Sequence, residues 1–231
     1  MTADHKQQMW RLYEEYYENI DHGQFDRDLA EKSFVFLAFD ARDPGVVVGF
    51  STAMVWSHVH QGQKFGFLFS GDTIIHPDYW GQPGLQKAYI RAIVQWKLAN
   101  PTCPLYWLLI CSGCRTYLSM ARNLPEHWPH FRHGLPAWER GLINAVCRTK
   151  FGAAWQPERG VISLAGAQPK LKDHVAPFTD ELRAMEEIQF FMKANPDHLR
   201  GDELAMIGLF DSQFVLSISW KIFKKVVGWR R

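Results

Sequence analysis

Phe67-Leu-Phe-Ser-Gly-Asp-Thr-Ile-Ile-His-Pro-Asp-Tyr-Trp-Gly-Gln-Pro-Gly-Leu-Gln-Lys-Ala-Tyr-Ile-Arg-Ala-Ile-Val94 reads as strand, turn and helix in succession. Phe65, Phe67 and Phe69 recur at period two, so an extended chain carries them on one side, and Thr73, Ile74 and Ile75 continue it with β-branched residues. His76-Pro77-Asp78 stops the strand, because proline fixes φ and has no amide donor. Leu85, Ala88, Tyr89, Ala92, Ile93 and Trp96 then return every three or four residues, the apolar stripe of an amphipathic helix. Gly81 and Gly84 lie in the connection. A glycine-bearing turn that opens a helix offers free N–H groups beside the positive end of the helix dipole, and such a turn can hold a phosphate.

Upstream, Met9, Tyr13, Tyr16, Tyr17 and Ile20 form a helical stripe that His22-Gly23 ends. Ser33 to Asp40 and Val46 to His58 read as strands joined by an Asp43-Pro-Gly45 turn, and Gln61-Gly62-Gln63 turns the chain into the aromatic strand. The three strands form an antiparallel meander. Downstream, Asn100-Pro101 breaks the helix, and Leu105 to Cys111 is a continuous apolar run suited to a strand covered on both faces. A strand, helix and strand of this length favour a parallel pair. Arg115 to Asn123 reads as a short helix bearing Tyr117. Ala137 to Phe151, Thr179 to Lys193 and Ser212 to Gly228 read as helices, and Gly160 to Leu164 and Asp202 to Phe210 as strands. The nearest thing to a boundary is the proline and histidine stretch from Leu124 to Pro136, which divides a core at 1–125 from a C-terminal region at 126–231.

The 231 residues suffice for a full core, and the hydrophobic share of 47% with a charged share of 22% belongs to an ordered globular chain. Ten Trp and 16 Phe exceed what such a core needs, which suits a bulky apolar ligand, though packing alone could use them. A formal net charge of +2 is nearly neutral and by itself argues neither for nor against nucleic acid; no nucleic-acid partner is expected. Cys103, Cys111, Cys114 and Cys147 are too few and too irregular for a disulfide scaffold. With no apolar leader and no run of ~18 apolar residues, the expectation is a reduced, cytoplasmic protein whose membrane contact, if any, is peripheral.

The order of helix, meander, strand ending in Ile74-Ile-His-Pro-Asp-Tyr79, glycine turn, long helix, buried strand and tyrosine-bearing helix resembles the GCN5-related N-acetyltransferase superfamily over about the first 125 residues. The resemblance implies an α/β fold with a mixed sheet, an elaborated C-terminal α+β region, and Gly160 to Leu164 and Asp202 to Phe210 as the last strands. It also implies a bulge before the turn, pantetheine bound by backbone groups around Ile74 and Ile75, and the donor's pyrophosphate held by Gly81, Gln82 and Gly84. The co-substrate would be acyl-CoA or an acyl-phosphopantetheine. Gly81-Gln-Pro-Gly84-Leu-Gln86 matches the family's turn, Arg or Gln, two residues, Gly, one residue, Gly or Ala, only at Gly84. Trp80 stands near the basic or amide position, and Pro83 removes an N–H. A weaker phosphate grip suits a donor held by its acyl chain or by an acyl carrier protein, as in the superfamily's acyl-homoserine lactone synthases and N-acyl amino acid synthases.

Acyl transfer to an amine needs positioning, a base for the amine and an acid for the thiolate. In the family the short helix after the parallel strand commonly carries the acid, which points to Tyr117; a core or rim tyrosine is the plainer alternative. Asp72, a carboxylate in an apolar strand, is either a base whose pKa burial raises or a bulge residue bonded to backbone. His58 and His60 end the preceding strand and could reach the acceptor side, although single histidines are usually surface or satisfied core residues. Cys111-Ser-Gly-Cys114 lacks a second pair, and His127, His130 and His133 lack a matching carboxylate, so no metal is expected. The terminal Trp220 to Arg231 segment has a lysine face and an apolar face. It either packs on the body or meets an anionic membrane or an acidic carrier protein. The expected activity is transfer of an acyl group from a pantetheine thioester to a small-molecule amine; the alternative is a non-catalytic acyl-thioester or lipid-binding module.

Overall fold

The computed structural model describes residues 1–164, 169–172 and 179–211. Its strands are β1 (Tyr17–Glu18), β2 (Phe34–Phe39), β3 (Val47–His60), β4 (Gln63–Ile75), β5 (Leu105–Cys111), β6 (His127–Trp128), β7 (Trp155–Gln156), β8 (Val161–Ile162), β9 (Lys170–Leu171) and β10 (Glu203–Leu209). Its helices are α1 (Ala3–Tyr16), α2 (His22–Ala30), α3 (Gly84–Ala99), α4 (Cys114–Ala121), α5 (Ala137–Phe151), α6 (Asp180–Arg183) and α7 (Glu186–Ala194). The main sheet runs β2-β3-β4-β5-β10-β8-β7, with β6 also on β10. It is mixed: β4 and β5 are parallel, joined by the α3 crossover, and the other pairs are antiparallel. The predicted meander and parallel pair are therefore both present. Between β3 and β4 the chain reverses in two residues, Gln61 and Gly62, both at positive φ, the conformation that matches strand twist in a tight hairpin.

Strand alternation divides the core. Leu105, Leu109 and Cys111 of β5 with Leu204 and Met206 of β10 face α3, α4 and α7. Phe65, Phe67 and Phe69 of β4 with Tyr106, Leu108, Ala205 and Ile207 face α5. A third cluster seats Met9, Leu12, Tyr13 and Tyr16 of α1 and Phe25 and Leu29 of α2 on Val47, Phe50 and Ile74, at the far end of the β3–β4 pair. Gly66 belongs to this packing, since a Cβ there would lie 2.3 Å from the Trp96 ring of α3.

Three elements differ from the sequence expectation. The first helix ends at Tyr16, because Tyr17 and Glu18 extend to pair with β9, Asn19 takes a positive φ of 57°, and Asp21 starts a second helix by accepting the Gln24 N–H at 2.6 Å. The helix expected over Thr179 to Lys193 is two, split where Met185 leaves helical dihedrals with ψ at 135°. The strand expected from Gly160 to Leu164 shortens to β8. The amphipathic segment Ser212 to Gly228 lies outside the described residues. No helix among those described is long and apolar enough to cross a membrane.

Candidate active site

In the ladder between β3 and β4, Ser51 pairs with Thr73 and Ala53 with Ser70, so Thr52 faces two residues, Gly71 and Asp72. That is a β-bulge, and it coincides with a parting of strands. β4 pairs with β5 only from Gly66 to Phe69, opposite Leu105 to Leu108; beyond Phe69 the two strands have no paired residues. Ser70 marks the fork, where its Oγ accepts from Trp107 Nε1 at 2.8 Å. Gly71 is required in the bulge, because a Cβ there would sit 2.3 Å from Thr52 Oγ1 and 2.9 Å from Lys32 Cε.

The ladder also says which backbone groups the parted β4 offers. The His76 N–H donates to the Val48 carbonyl at 2.9 Å, and antiparallel pairs alternate between bonded and non-bonded. Ile74 is therefore a bonded partner of Phe50, with its N–H and carbonyl engaged with β3. Thr73 and Ile75 turn theirs toward the gap. The Ile75 carbonyl accepts from the Trp80 indole at 2.7 Å. At the turn, Gly81 has φ +78°, and the Gln82 N–H donates back to the Tyr79 carbonyl at 3.3 Å. Pro83 caps α3 without a side-chain bond, and the Lys87 N–H reaches the Pro83 carbonyl. The first-turn N–H groups of Gly84, Leu85 and Gln86 are the ones a helix start leaves for a ligand.

Each face of this fork has its own chemistry. On the α3 side, Ser51, Thr73 and Tyr89 join hydroxyls, with Tyr89 Oη 2.8 Å from Ser51 Oγ and donating to the Thr52 carbonyl at 2.9 Å. Tyr117 lies on this side, fully buried among Phe190 and Phe191. Its hydroxyl has no hydrogen-bond partner among the described residues, and burial, with the Cys111 and Glu187 charges behind it, raises the phenol's pKa. Burial likewise raises the Cys111 thiol well above its usual range.

Thr73 faces α3, so alternation turns Asp72 to the opposite side with Ile74, beneath α1. Leu204 faces α4, so its neighbour Glu203 also points to that opposite side, at the start of β10 just past Cys111, the end of β5. The two carboxylates thus flank the tip of β5 on one face. Desolvation pushes Asp72 up, with Lys32 opposing and Asp28 assisting. Glu203 is pushed up to about 7, by desolvation first and then by the Asp72 charge. Tyr17, pushed up to about 12 by burial, responds to both carboxylates, and burial raises Tyr13 further in the same field. Sequence reading singled out Asp72 and passed over Glu203. The available signal was an acid heading an otherwise apolar run, Glu203-Leu-Ala-Met-Ile207.

The same face carries two lysines. Lys32, just after α2, and Lys150, near the end of α5, both stand over the Phe69 ring, with Nζ 5.6 and 4.6 Å from its centroid. Lys150 also lies over Trp56. Neither has a carboxylate within salt-bridge distance among the described residues. Burial, then the Lys32 charge, lowers the Lys150 pKa.

His58 and His60 are elsewhere. They pair with Phe65 and Gln63, seven or more residues from Asp72 along β4, a span of roughly 20 Å, so they do not reach the acceptor side of the fork. His127, His130 and His133 stack in a column with centroids 4.5 and 4.6 Å apart. His130 Nδ1 accepts the Arg132 and His133 N–H groups. No cluster of three metal-ligating side chains occurs among the described residues.

No family model matches the sequence, and no curated protein is detectably similar to it. Among solved structures, a conserved protein of Enterococcus faecalis described as a probable N-acyltransferase aligns over 52% of this chain and 30% of its own, at 14% identity and a TM-score of 0.39. A GCN5-related N-acetyltransferase from Kribbella flavida aligns over 48% of this chain and 33% of its own, at 18% identity and a TM-score of 0.23. The chain thus spans about a third of the length of either structure, and neither is described as a long-chain acyl synthase.

Proposed function

We propose that this protein transfers an acyl group from a pantetheine thioester to an amine, with the donor in the gap between β4 and β5 and the acceptor on the face of Asp72 and Glu203. One observation carries the reading: β4 bulges and leaves β5 where a carboxylate pair lies on one face and a buried phenol on the other. An extended pantetheine can add to the Thr73 and Ile75 backbone as a strand would. The open N–H groups of Gly84, Leu85 and Gln86 suit a phosphate. Because Trp80 occupies the Ile75 carbonyl and Gln82 bonds within the turn, the phosphate grip is small. Pantetheine and acyl chain then supply most of the affinity, whether the donor is acyl-CoA or an acyl carrier protein.

An amine arrives as ammonium and must lose a proton before it attacks. Glu203, at about 7, is half ionised near neutral pH and is the better-matched base; Asp72 holds that value up by its charge. The free amine attacks the thioester carbonyl, a C–N bond forms, and the C–S bond breaks as the tetrahedral intermediate collapses. The thiolate takes a proton from Tyr117 Oη, the second proton shed by the tetrahedral nitrogen restores the phenol, and the amide and free thiol leave, with the ammonium's first proton passing from Glu203 to solvent. A phenol with a raised pKa is a weak acid in water. Here the burial that raises it raises a neighbouring thiolate as well, as it does Cys111, so the difference between donor and acceptor is largely kept.

The test is thiol release from a panel of acyl-CoA and acyl-carrier donors with mixed amines, the product identified by mass. Glu203→Gln and Tyr117→Phe should each lower turnover by about 100-fold or more, with unfolding transitions close to wild type. Donor binding without thiol release would establish the non-catalytic acyl-binding reading instead, the one favoured by the Trp80 bond to Ile75.

A further inference from the structure

Trp80 reaches back from the turn into the gap. Its backbone is held: its N–H donates to the Pro77 carbonyl at 3.1 Å, and the preceding Tyr79 is anchored just past β2 by its hydroxyl, which donates to Asp40 Oδ2 at 2.6 Å. Its ring is held far less. Trp80 is 50% exposed, its indole stacks on no other ring among the described residues, and its one side-chain hydrogen bond runs from Nε1 to the Ile75 carbonyl at 2.7 Å. A Cβ at Gly81 or Gly84 would meet nothing within 4 Å, so open space adjoins the turn at the next residue and at the start of α3. A solvent-facing bond of this kind adds little net stability, because water can replace it. A rotamer change on the fixed backbone is enough to release it.

The place of that bond gives it meaning. Ile75 ends β4, and its N–H and carbonyl face the gap, while its neighbours Ile74 and His76 bond to β3. A ligand that adds to a sheet edge bonds to alternate residues, here Thr73 and Ile75. The indole N–H therefore engages one of the two residues a pantetheine needs, and it stands where the ligand's own amide N–H would lie. A side chain that caps an open edge also keeps another strand from extending it.

We infer that Trp80 is a displaceable latch on the donor groove: its indole closes the Ile75 edge, and a donor that carries amide N–H groups opens it by placing its own N–H on the Ile75 carbonyl while the ring swings into the space beside Gly81. This rests on the donor half of the acyl-transfer reading and adds a condition for entry to it. One hydrogen bond to the carbonyl replaces another, so opening is nearly balanced for a ligand with amides. The latch still opposes binding, because the free protein gives up a contact that the complex does not keep.

Trp80→Phe tests this on the full chain, since it keeps an aromatic ring and removes the N–H. Calorimetric titration with CoA, and with pantetheine, which lacks the nucleotide, should give binding about threefold or more tighter in the variant than in wild type for both ligands. The Trp80 indole N–H resonance is the one of the ten tryptophan signals that the variant lacks. In wild type it should move upfield and exchange faster with water when pantetheine is added. Equal or weaker binding by the variant, or an indole signal unmoved in a saturated complex, overturns the latch. If wild type then still gains amide protection at Thr73 and Ile75, the donor reading stands without it. Binding seen in Trp80→Phe alone supports the latch. Binding by neither protein overturns it, and thiol release from acyl-carrier donors then decides the transfer reading separately. Circular dichroism melts within a few degrees of wild type, expected because the ring is half exposed, separate a change at the groove from a change in fold.

Discussion

The two ends of the β3–β4 ribbon are made of the same kind of strand and do opposite things. At the hairpin end, Phe65, Phe67 and Phe69 all pair with β3, Phe67 and Phe69 pair also with β5, and all three are buried against α5. At the other end, Gly71 to Ile75 keep β3 and lose β5, and the side chains become Asp72, Thr73 and their neighbours Lys32 and Glu203. The paired end repays the ordering of the chain with apolar burial. The parted end keeps half-buried charges and open backbone edges, features that oppose stability and suit a ligand. The divide between stability and chemistry falls at one residue pair, Phe69 and Leu108, and not between separate segments of sequence.

That contrast can be broken from either end. The largest expected effect is Phe67→Ala, which removes a fully buried ring and should cost about 3–5 kcal/mol of stability in urea unfolding; a cost below about 1 kcal/mol would mean the paired end is not the anchor. Glu203→Gln is the counterpart at the parted end, with about a 100-fold loss of turnover and no loss of stability. It should also change the pH dependence of folding. The Glu203 carboxyl titrates near 7 when folded against an ordinary 4.5. Between those values the folded state binds the extra proton, so stability falls as pH rises through that window, and the glutamine variant should lack this decline. On the proposed mechanism, activity through this base rises over the upper part of the same window, and the ionisation it needs is the one that weakens the fold.

Asp72→Asn sharpens the contrast more finely. Removing the like charge should move the acid limb of the kcat/KM profile to lower pH, by up to about one unit, with the Glu203 variant losing that limb. An unmoved limb would show that the two carboxylates do not share a field. The smallest effect belongs to His58→Ala, which lies at the hairpin end and should leave turnover within about twofold.

Much of this was legible in the sequence because period and punctuation are local. The phenylalanine alternation, the proline stop and the helical stripe after Gly84 fixed the strand, turn and helix, and the apolar run to Cys111 marked the parallel partner. What escaped was non-local or compensated. Ile74 and Ile75 look alike in sequence, and only the ladder phase set by His76 and Val48 says which one faces the gap. The second helix at His22 was hidden because a glycine after histidine reads as a stop, whereas the Asp21 cap makes it a start. Asp72 was conspicuous as the lone acid in its strand. Glu203 was not, since its meaning depends on β10 lying beside β5, where Leu204 meets Cys111 across 93 positions of the chain. Lys32 and Lys150 come together only over Phe69, from two different helices' ends.

The central claim is that the parted end of β4 is the donor site, and backbone hydrogen exchange with and without CoA tests it directly. The account predicts new protection at Thr73 and Ile75 and in the first turn of α3, from Gly84 to Gln86, with the hairpin end around Phe67 unchanged. Protection confined to other surfaces, or none at saturating CoA and at saturating acyl-carrier donor, would contradict it.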